Sequence, residues 1–281
     1  MLVHRDAVIF NVSEIELALT CRRKWYNEYI LCNGVQPSIA MQEGTRYHRY
    51  AEMALKCEPA PAALALEPLW MRGALEGLKD WLMEWTPTVI DTESPMTYET
   101  SALMPDGKRV VFIGRLDALV RGANGRIFHL QHKTCRAGLS IRHFVDLQSV
   151  SWHEALYGRM LARSYGLEYA GTLMAIARKR STAPFFEAHP IHIRRAEQAV
   201  NGLVDYAVEL YGNIMLNRRD PDMNRTACLG VWQNSRCPFF DLCYSAHPLM
   251  MPHRTPYDSY PTDFIEGLAA TYGPRVLEEV M

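Results

Sequence analysis

The chain has 281 residues, 48% hydrophobic and 22% charged, with a formal net charge of −1 at neutral pH. That length suits one large domain or one domain with a smaller helical annex. The near-zero charge excludes a polyanion binder whose whole surface is basic, so any nucleic-acid surface must be local.

In chain order, MLVHRDAVIFNVSE lacks a basic segment followed by a long apolar run, so no signal peptide is expected. No apolar stretch approaches the roughly 20 residues that span a bilayer, and the expectation is a cytoplasmic protein without a membrane partner. NVSEIELALTCRRKWYNEYI reads as a helix start, with Ser13 able to cap and Glu16 three residues on. AMQEGTRYHRYAEMALK predicts a second helix, Pro-rich CEPAPAALALEP a linker, and LWMRGALEGLKDWLMEWT a third, amphipathic helix. The middle changes character. TPTVIDTESPMTYETSALM, RVVFIGRLDALVR and RIFHLQHKT are rich in β-branched and aromatic residues and are separated by PDGK and GANG turns, which predicts a three-stranded antiparallel meander. VDLQSVSWHEALYGRMLARSYG returns to helical spacing, AGTLMAIARKRS fits a strand, and RRAEQAVNGLVDYAVELYGNIMLNRR a long helix with Val200, Leu203, Val204, Ala207 and Tyr211 on one stripe. Helices, three strands, helix, strand, helix describe an α/β domain with a small mixed sheet flanked by helices.

GRLDALVRGANGRIFHLQHKT, Gly114 to Thr134, carries the chemistry. Strand residues i and i+2 share a face, so Gln131 and Lys133 project together while His132 points the other way. A turn near Gly122–Gly125 brings Asp117 beside them. Phosphodiester hydrolysis needs one or two divalent cations on oxygen ligands, and a nearby lysine can orient water or offset charge on the scissile phosphate.

GRLDALV followed by HLQHKT resembles the core of PD-(D/E)xK nucleases, in their RecB-like branch. That branch includes CRISPR-adaptation nucleases with iron–sulfur clusters and phage recombination exonucleases. EGTRYH supplies Gly44 and His48, similar to the family's helical G-x-x-x-H, and DLQSVSW supplies Gln148 and Trp152, similar to its Q-x-x-x-Y with tryptophan in place of tyrosine. Alone, His48 reads as a surface or satisfied core histidine, Gln148 as a surface amide and Trp152 as a core aromatic. Together they stand in family order. The resemblance implies a restriction-endonuclease-like core, with 1–281 as one nuclease domain. Within it, 13–90 form a helical N-terminal part, 91–216 the core, and 217–281 a Cys-bearing segment joined to Cys21. It implies that His48, Asp117, the side chain at 131 and the backbone carbonyl of His132 bind Mg²⁺ or Mn²⁺. Asp117, Gln131 and Lys133 would be the catalytic residues, and Gln148 and Trp152 would contact DNA. The basic clusters Arg22, Arg23 and Lys24, and Arg178, Lys179 and Arg180, are further candidates for DNA contact.

Gln131 stands where the family has Glu or Asp. An amide carbonyl ligates a hard cation more weakly and forfeits a large Coulombic attraction. Three accounts stay open: a deliberate Glu→Gln change, which the intact remainder of the site favours; a carboxylate supplied from elsewhere, Glu52 or Glu99; or a catalytically silent binder of DNA ends.

Seven cysteines are an odd count for a disulfide framework. Cys228, Cys237 and Cys243 cluster, and Cys21 lies far upstream beside RRKWY, which is not the two close pairs of a zinc finger. This spacing resembles the family's [4Fe–4S] staple, with Zn²⁺ the alternative on ligand softness. The resemblance implies a DNA exonuclease acting on ends or single strands, bacterial or phage-encoded, with a recombination or CRISPR-adaptation protein as a possible partner. The alternatives are a silent DNA-end adaptor and a metal-stapled interaction module without nucleic-acid binding.

Overall fold

The computed structural model describes residues 1–34, 36–193, 196–217, 221, 222, 224, 237–239 and 243. Its elements are β1 (Leu2–Val3), β2 (Ala7–Asn11), α1 (Val12–Thr20), α2 (Arg22–Trp25), α3 (Ile39–Leu55), α4 (Leu69–Trp85), β3 (Thr88–Leu103), β4 (Arg109–Arg121), β5 (Ile127–Arg136), α5 (Ile141–Ser149), α6 (Trp152–Tyr165), β6 (Tyr169–Lys179), β7 (Phe186–Ile191) and α7 (Ala196–Tyr211). They form two compact units, one from Met1–Gln36, Thr97–Gly114 and Asn201–Met281, the other from Pro37–Met96 and Arg115–Val200.

In the first unit β1 pairs antiparallel with β2, and β2 pairs parallel with the start of β4, from Ala7 opposite Arg109 to Asn11 opposite Ile113. β2 runs straight into α1. The cap is Asn11, not the expected Ser13: its side chain accepts the Ser13 N–H at 2.9 Å, and Glu14 answers by accepting the Asn11 N–H at 3.2 Å. The strand's last residue is the one left extended at the helix entry, so it takes the capping role. The run expected as one helix start breaks at Cys21, whose backbone is extended. Trp25, fully buried, donates its indole N–H to Glu14 at 2.9 Å.

The second unit is mixed α/β, a mixed sheet flanked by helices. β4 pairs antiparallel with β5 from Ala118–Leu130 to Arg121–Ile127, β5 pairs parallel with β6, and β6 antiparallel with β7. Gly125 turns the β4–β5 hairpin with φ of 77°, which glycine adopts without steric cost. α5 and α6 provide the crossover that a parallel β5–β6 pair requires. On one face of this sheet Ala118, Val120, Leu130 and Ala175 pack against Leu55 of α3 and Trp81 and Leu82 of α4. On the other, Cys135, Met174 and Ile176 pack against Ile141, Phe144 and Val145 of α5.

The helix expected over VDLQSVSWHEALYGRMLARSYG is two helices, with Ser151 as the N-cap of α6. The Ser149 hydroxyl donates to the Asp146 carbonyl at 2.7 Å, and a β-branched Val150 between serines favours this local bonding over helix continuation. The strands β2 and β7 were not expected. β2 reads AVIFN, four consecutive apolar residues before Asn11 and too short to show alternation, and β7 carries a proline. Among the described residues no helix is long and apolar enough to cross a membrane.

α4 lies on β7 through glycines. A Cβ at Gly77 would stand 2.7 Å from the Phe186 Cβ, close to strand backbone that cannot retreat. Gly77→Ala gains about 1 kcal/mol of helix propensity but incurs an overpacking cost of about 1–3 kcal/mol. A net loss in chemical-denaturation stability is expected, and a variant more stable than the parent would contradict this packing.

Candidate active site

Ser38 caps α3 by accepting the Met41 N–H at 3.3 Å. Tyr47, Ala51 and Leu55 then face inward, a spacing that fixes one side of the helix on the core. His48 follows Tyr47 at the rim of that face. Its Nδ1 lies 3.5 Å from Oδ1 of Asp117. The β4–β5 ladder runs from Arg121–Ile127 to Ala118–Leu130, and the Asp117 carboxylate accepts the backbone N–H of His132 at 2.7 Å. Burial alone would raise the Asp117 pKa, but the His48 hydrogen bond and the charges of His48, His132 and Lys133 hold it well below the usual carboxylate range.

On β5 the register puts Gln131 opposite Met174 and Lys133 opposite Ile176, while His132 faces Ala175. Gln131 and Lys133 therefore share the α5 side of the sheet, and His132 the α3 side. The sequence reading gave His132 a role only through its carbonyl. Its imidazole instead packs edge-on to the rings of His48 and Tyr47, with centroids 5.9 and 6.1 Å apart, because α3 covers that face. Both ring nitrogens of His132 and Oε1 of Gln131 are buried without a hydrogen-bond partner among the described residues.

The sequence reading missed several neighbours. His129 is on the same face as Gln131, with its ring 5.5 Å from Tyr157, and the Tyr157 ring is 4.6 Å from that of His153. Burial pushes His129 and His132 each down to about 4 and His153 well below its ordinary value. The Tyr157 hydroxyl accepts the Arg115 N–H and donates to the Arg115 carbonyl, both at 3.0 Å. Arg115 in turn pairs with Glu93 at 2.7 Å. Glu93 sits within β3 at φ of 52°, a left-handed conformation that costs a non-glycine residue about 1–3 kcal/mol. Burial raises its pKa, and the charges of Asp117 and Glu52 add to this against the opposing pull of Arg115 and His48. The alternation of HLQHK could have flagged His129. No local pattern marks Glu93.

The two carboxylates considered as replacements are already paired. Glu52 holds Lys56 at 2.6 Å and accepts from the Thr92 hydroxyl at 3.5 Å. Glu99 belongs to the first unit, where it pairs with Arg109 at 3.0 Å. Among the described residues no three His, Cys, Asp or Glu side chains stand close enough together to hold a metal ion as they are.

No family model matches the chain, and no curated protein matches it. Among solved structures, a crystal structure from Eubacterium rectale named "Putative exonuclease" is 12% identical, covers 90% of this chain and 92% of its own, and superposes with a TM-score of 0.51. The crystal structure of SSO0001 is 17% identical over 79% of this chain and 81% of its own, with a TM-score of 0.35, too low to carry an argument. At such identities the Eubacterium rectale likeness concerns the fold alone.

The residues expected to contact DNA fall into several settings. Gln148 lies in the last turn of α5 and Trp152 begins α6, on separate helices rather than on one. Trp152 and Val150 at this break are exposed. Arg178 pairs with Glu187 at 2.7 Å, and Lys179 with Glu43 at 2.9 Å while its Nζ lies over the Trp70 ring. In the first unit Arg22 pairs with Glu209 at 2.9 Å and stacks over Tyr206, and Arg23 and Lys24 are half-buried on α2. Arg178, Lys179 and Arg22 are thus committed to partners within the fold, which a phosphate would have to displace.

Cys21 is buried, and the backbone N–H of Asn224 points at its sulfur at 3.4 Å. Cys237 and Cys243 are half-buried. Cys228 lies outside the described residues.

Proposed function

We propose that the chain is a divalent-metal-dependent DNA nuclease of the PD-(D/E)xK, RecB-like type, an exonuclease acting on DNA ends or single strands and weakened by the amide at Gln131. The observation that carries this is the meeting of His48 and Asp117 at 3.5 Å, with the unpartnered His132 ring packed edge-on against His48; Gln131 Oε1, on the α5 side of the sheet, is also buried without a partner among the described residues. Buried polar atoms without partners are costly, and a cation on His48, Asp117 and Gln131 gives the Gln131 oxygen its partner. The mixed nitrogen and oxygen donors suit Mn²⁺ as well as Mg²⁺. The fold likeness to the Eubacterium rectale protein agrees with this reading.

A bound Mg²⁺ or Mn²⁺ would supply Lewis acidity and an activated water. Asp117 stays ionised at neutral pH and so meets the cation as an anion. His132, neutral at that pH, adds no positive charge beside it. Lys133 places a positive charge where a scissile phosphate gains negative charge. Exposed Trp152 offers a stacking platform for an unpaired base, with Gln148 of the same unit available for the strand. The same reading carries a [4Fe–4S] cluster on Cys21, Cys228, Cys237 and Cys243, with Zn²⁺ as the alternative. The Asn224 N–H aimed at Cys21 is the kind of bond that tunes a cluster sulfur. Anaerobically purified protein should be brown, and colourless protein containing zinc would remove the cluster.

The test compares the chain with Gln131→Glu on single- and double-stranded DNA with Mn²⁺. The glutamate form should cleave about 100-fold faster or more, the scale of one preorganised electrostatic contact. Binding of both forms should weaken steeply as salt rises. Salt-sensitive binding with no cleavage by either form would favour the silent DNA-end adaptor, which the neutral Gln131 also suits. Absence of binding would remove both.

A further inference from the structure

From the way β4 is braced beside Asp117 we infer that Arg115 is a substrate-binding residue of this site: its guanidinium takes a phosphate of the DNA strand, and Glu93 occupies the phosphate's place until the strand arrives. This rests on the nuclease reading above and adds a residue that no motif in the sequence marks. The backbone comes first. The ladder of β4 with β2 ends at Ile113, and its ladder with β5 begins at Ala118. Inside that interval the Tyr157 hydroxyl bonds both the N–H and the carbonyl of Arg115 at 3.0 Å. Tyr157 is buried on α6, so these two bonds tie one residue of β4 to a rigid element. A tied backbone leaves less entropy to lose when the side chain above it grips a ligand.

The head group comes next. Arg115 stands two residues before Asp117 on β4 and so on the same side of that strand. Its Nε lies 2.7 Å from Oε2 of Glu93, and the Glu93 carboxylate in turn feels the charges of Asp117, Glu52 and His48. The guanidinium is therefore within electrostatic reach of the His48–Asp117 pair. Its planar fork matches two oxygens of one phosphate.

Arg115 differs from the other paired cations of its unit in how it is held. Arg178 and Lys179 are 16% and 17% exposed in their ion pairs, and Arg115 is 47% exposed in its own. Pairs exposed to that degree contribute little, so an incoming anion displaces one at small cost. Glu93 is also poorly placed as a permanent partner. It sits at φ of 52°, partly buried, with Asp117 and Glu52 repelling its charge. A phosphate offers Arg115 an anion without that backbone strain.

Binding of a fluorescent oligothymidylate in EDTA, followed by anisotropy across a salt series, tests this without metal or cleavage. Arg115→Gln should weaken binding about tenfold at low salt. Its log–log salt slope should be shallower by about 0.7, one phosphate contact on a single strand. Arg115→Lys keeps the charge and should keep the slope. Glu93→Gln removes the competing anion and should tighten binding a few-fold, the opposite of what loss of a merely structural pair gives. Arg121 is the control, half-exposed on the same strand and paired with Glu168 at 3.2 Å, and Arg121→Gln should change nothing. If Arg115→Gln does not fold, Glu93→Gln alone decides the case. Parental affinity and slope in Arg115→Gln, or a Glu93→Gln variant that binds no tighter than the parent, would overturn the role of Arg115 and leave the nuclease reading standing. A parent that binds neither the single strand nor its duplex with oligoadenylate would overturn both.

Discussion

Replacing Asp117 with asparagine should lower Mn²⁺-dependent cleavage by about a thousandfold or more, roughly 4 kcal/mol in the barrier. Asp117 touches His48 through Oδ1 and the His132 backbone through Oδ2. Asparagine can still accept the His132 N–H through its oxygen, so the fold should survive. What disappears is a full negative charge beside a divalent ion, in surroundings that screen it less than water does. DNA affinity at low salt should stay within a few-fold of the parent, because Asp117 is not one of the side chains proposed to hold the strand. Cleavage by Asp117→Asn at half the parental rate would mean that the reaction does not run through this carboxylate.

Acid should weaken the fold from about pH 6.5 downward. His129 and His132 are 1% and 2% exposed and titrate near 4 in the folded state, against about 6.5 in an unfolded chain. Between these values the unfolded state binds more protons, so stability is complete above pH 6.5 and falls as the pH drops toward 4. Each histidine contributes a slope of up to about 1.4 kcal/mol per pH unit. Together they remove on the order of a few kcal/mol, a large part of the roughly 5–15 kcal/mol that a domain has. Asp117 cannot offset this, since its depressed pKa yields stability that is lost only at still lower pH. Denaturation midpoints at pH 7, 6 and 5 should fall steadily, and His129→Gln should flatten the slope. A slope identical in that variant and the parent would show that His129 is not a source.

The sequence made the helices α3 and α4 and the β4–β5 hairpin readable because each carries its own signal: a repeat of apolar residues, or strands parted by Gly-rich turns. His48 was singled out by the likeness of EGTRYH to a family motif and Asp117 by its place in the hairpin, and the structure brings the two to 3.5 Å. β2 and β7 were not readable, since what makes them strands is pairing with residues distant in the chain, Val111 for Ile9 and Met174 for His189. The break at Val150–Ser151 left only a serine as its trace. The orientation of His132 depended on which face α3 covers, a tertiary fact that alternation alone does not supply. Glu93 was hidden for a stronger reason. It occupies a backbone angle that its residue type disfavours, so propensity argues against the place it occupies.

The first unit is assembled from Met1–Gln36, Thr97–Gly114 and Asn201–Met281. Its strand β2 pairs in parallel with β4, Ile9 opposite Val111, and Tyr206 of α7 donates to the Ala18 carbonyl at 2.8 Å. Contacts so distant along the chain form slowly, because a long loop must close before any of them is made. During synthesis β2 must wait for β4 to leave the ribosome, and α1 must wait for α7. The Pro37–Met96 and Arg115–Val200 unit needs nothing beyond Val200. Nascent chains released at increasing lengths should thus become protease-resistant in two steps, with the fragment bearing His48 and Asp117 protected first.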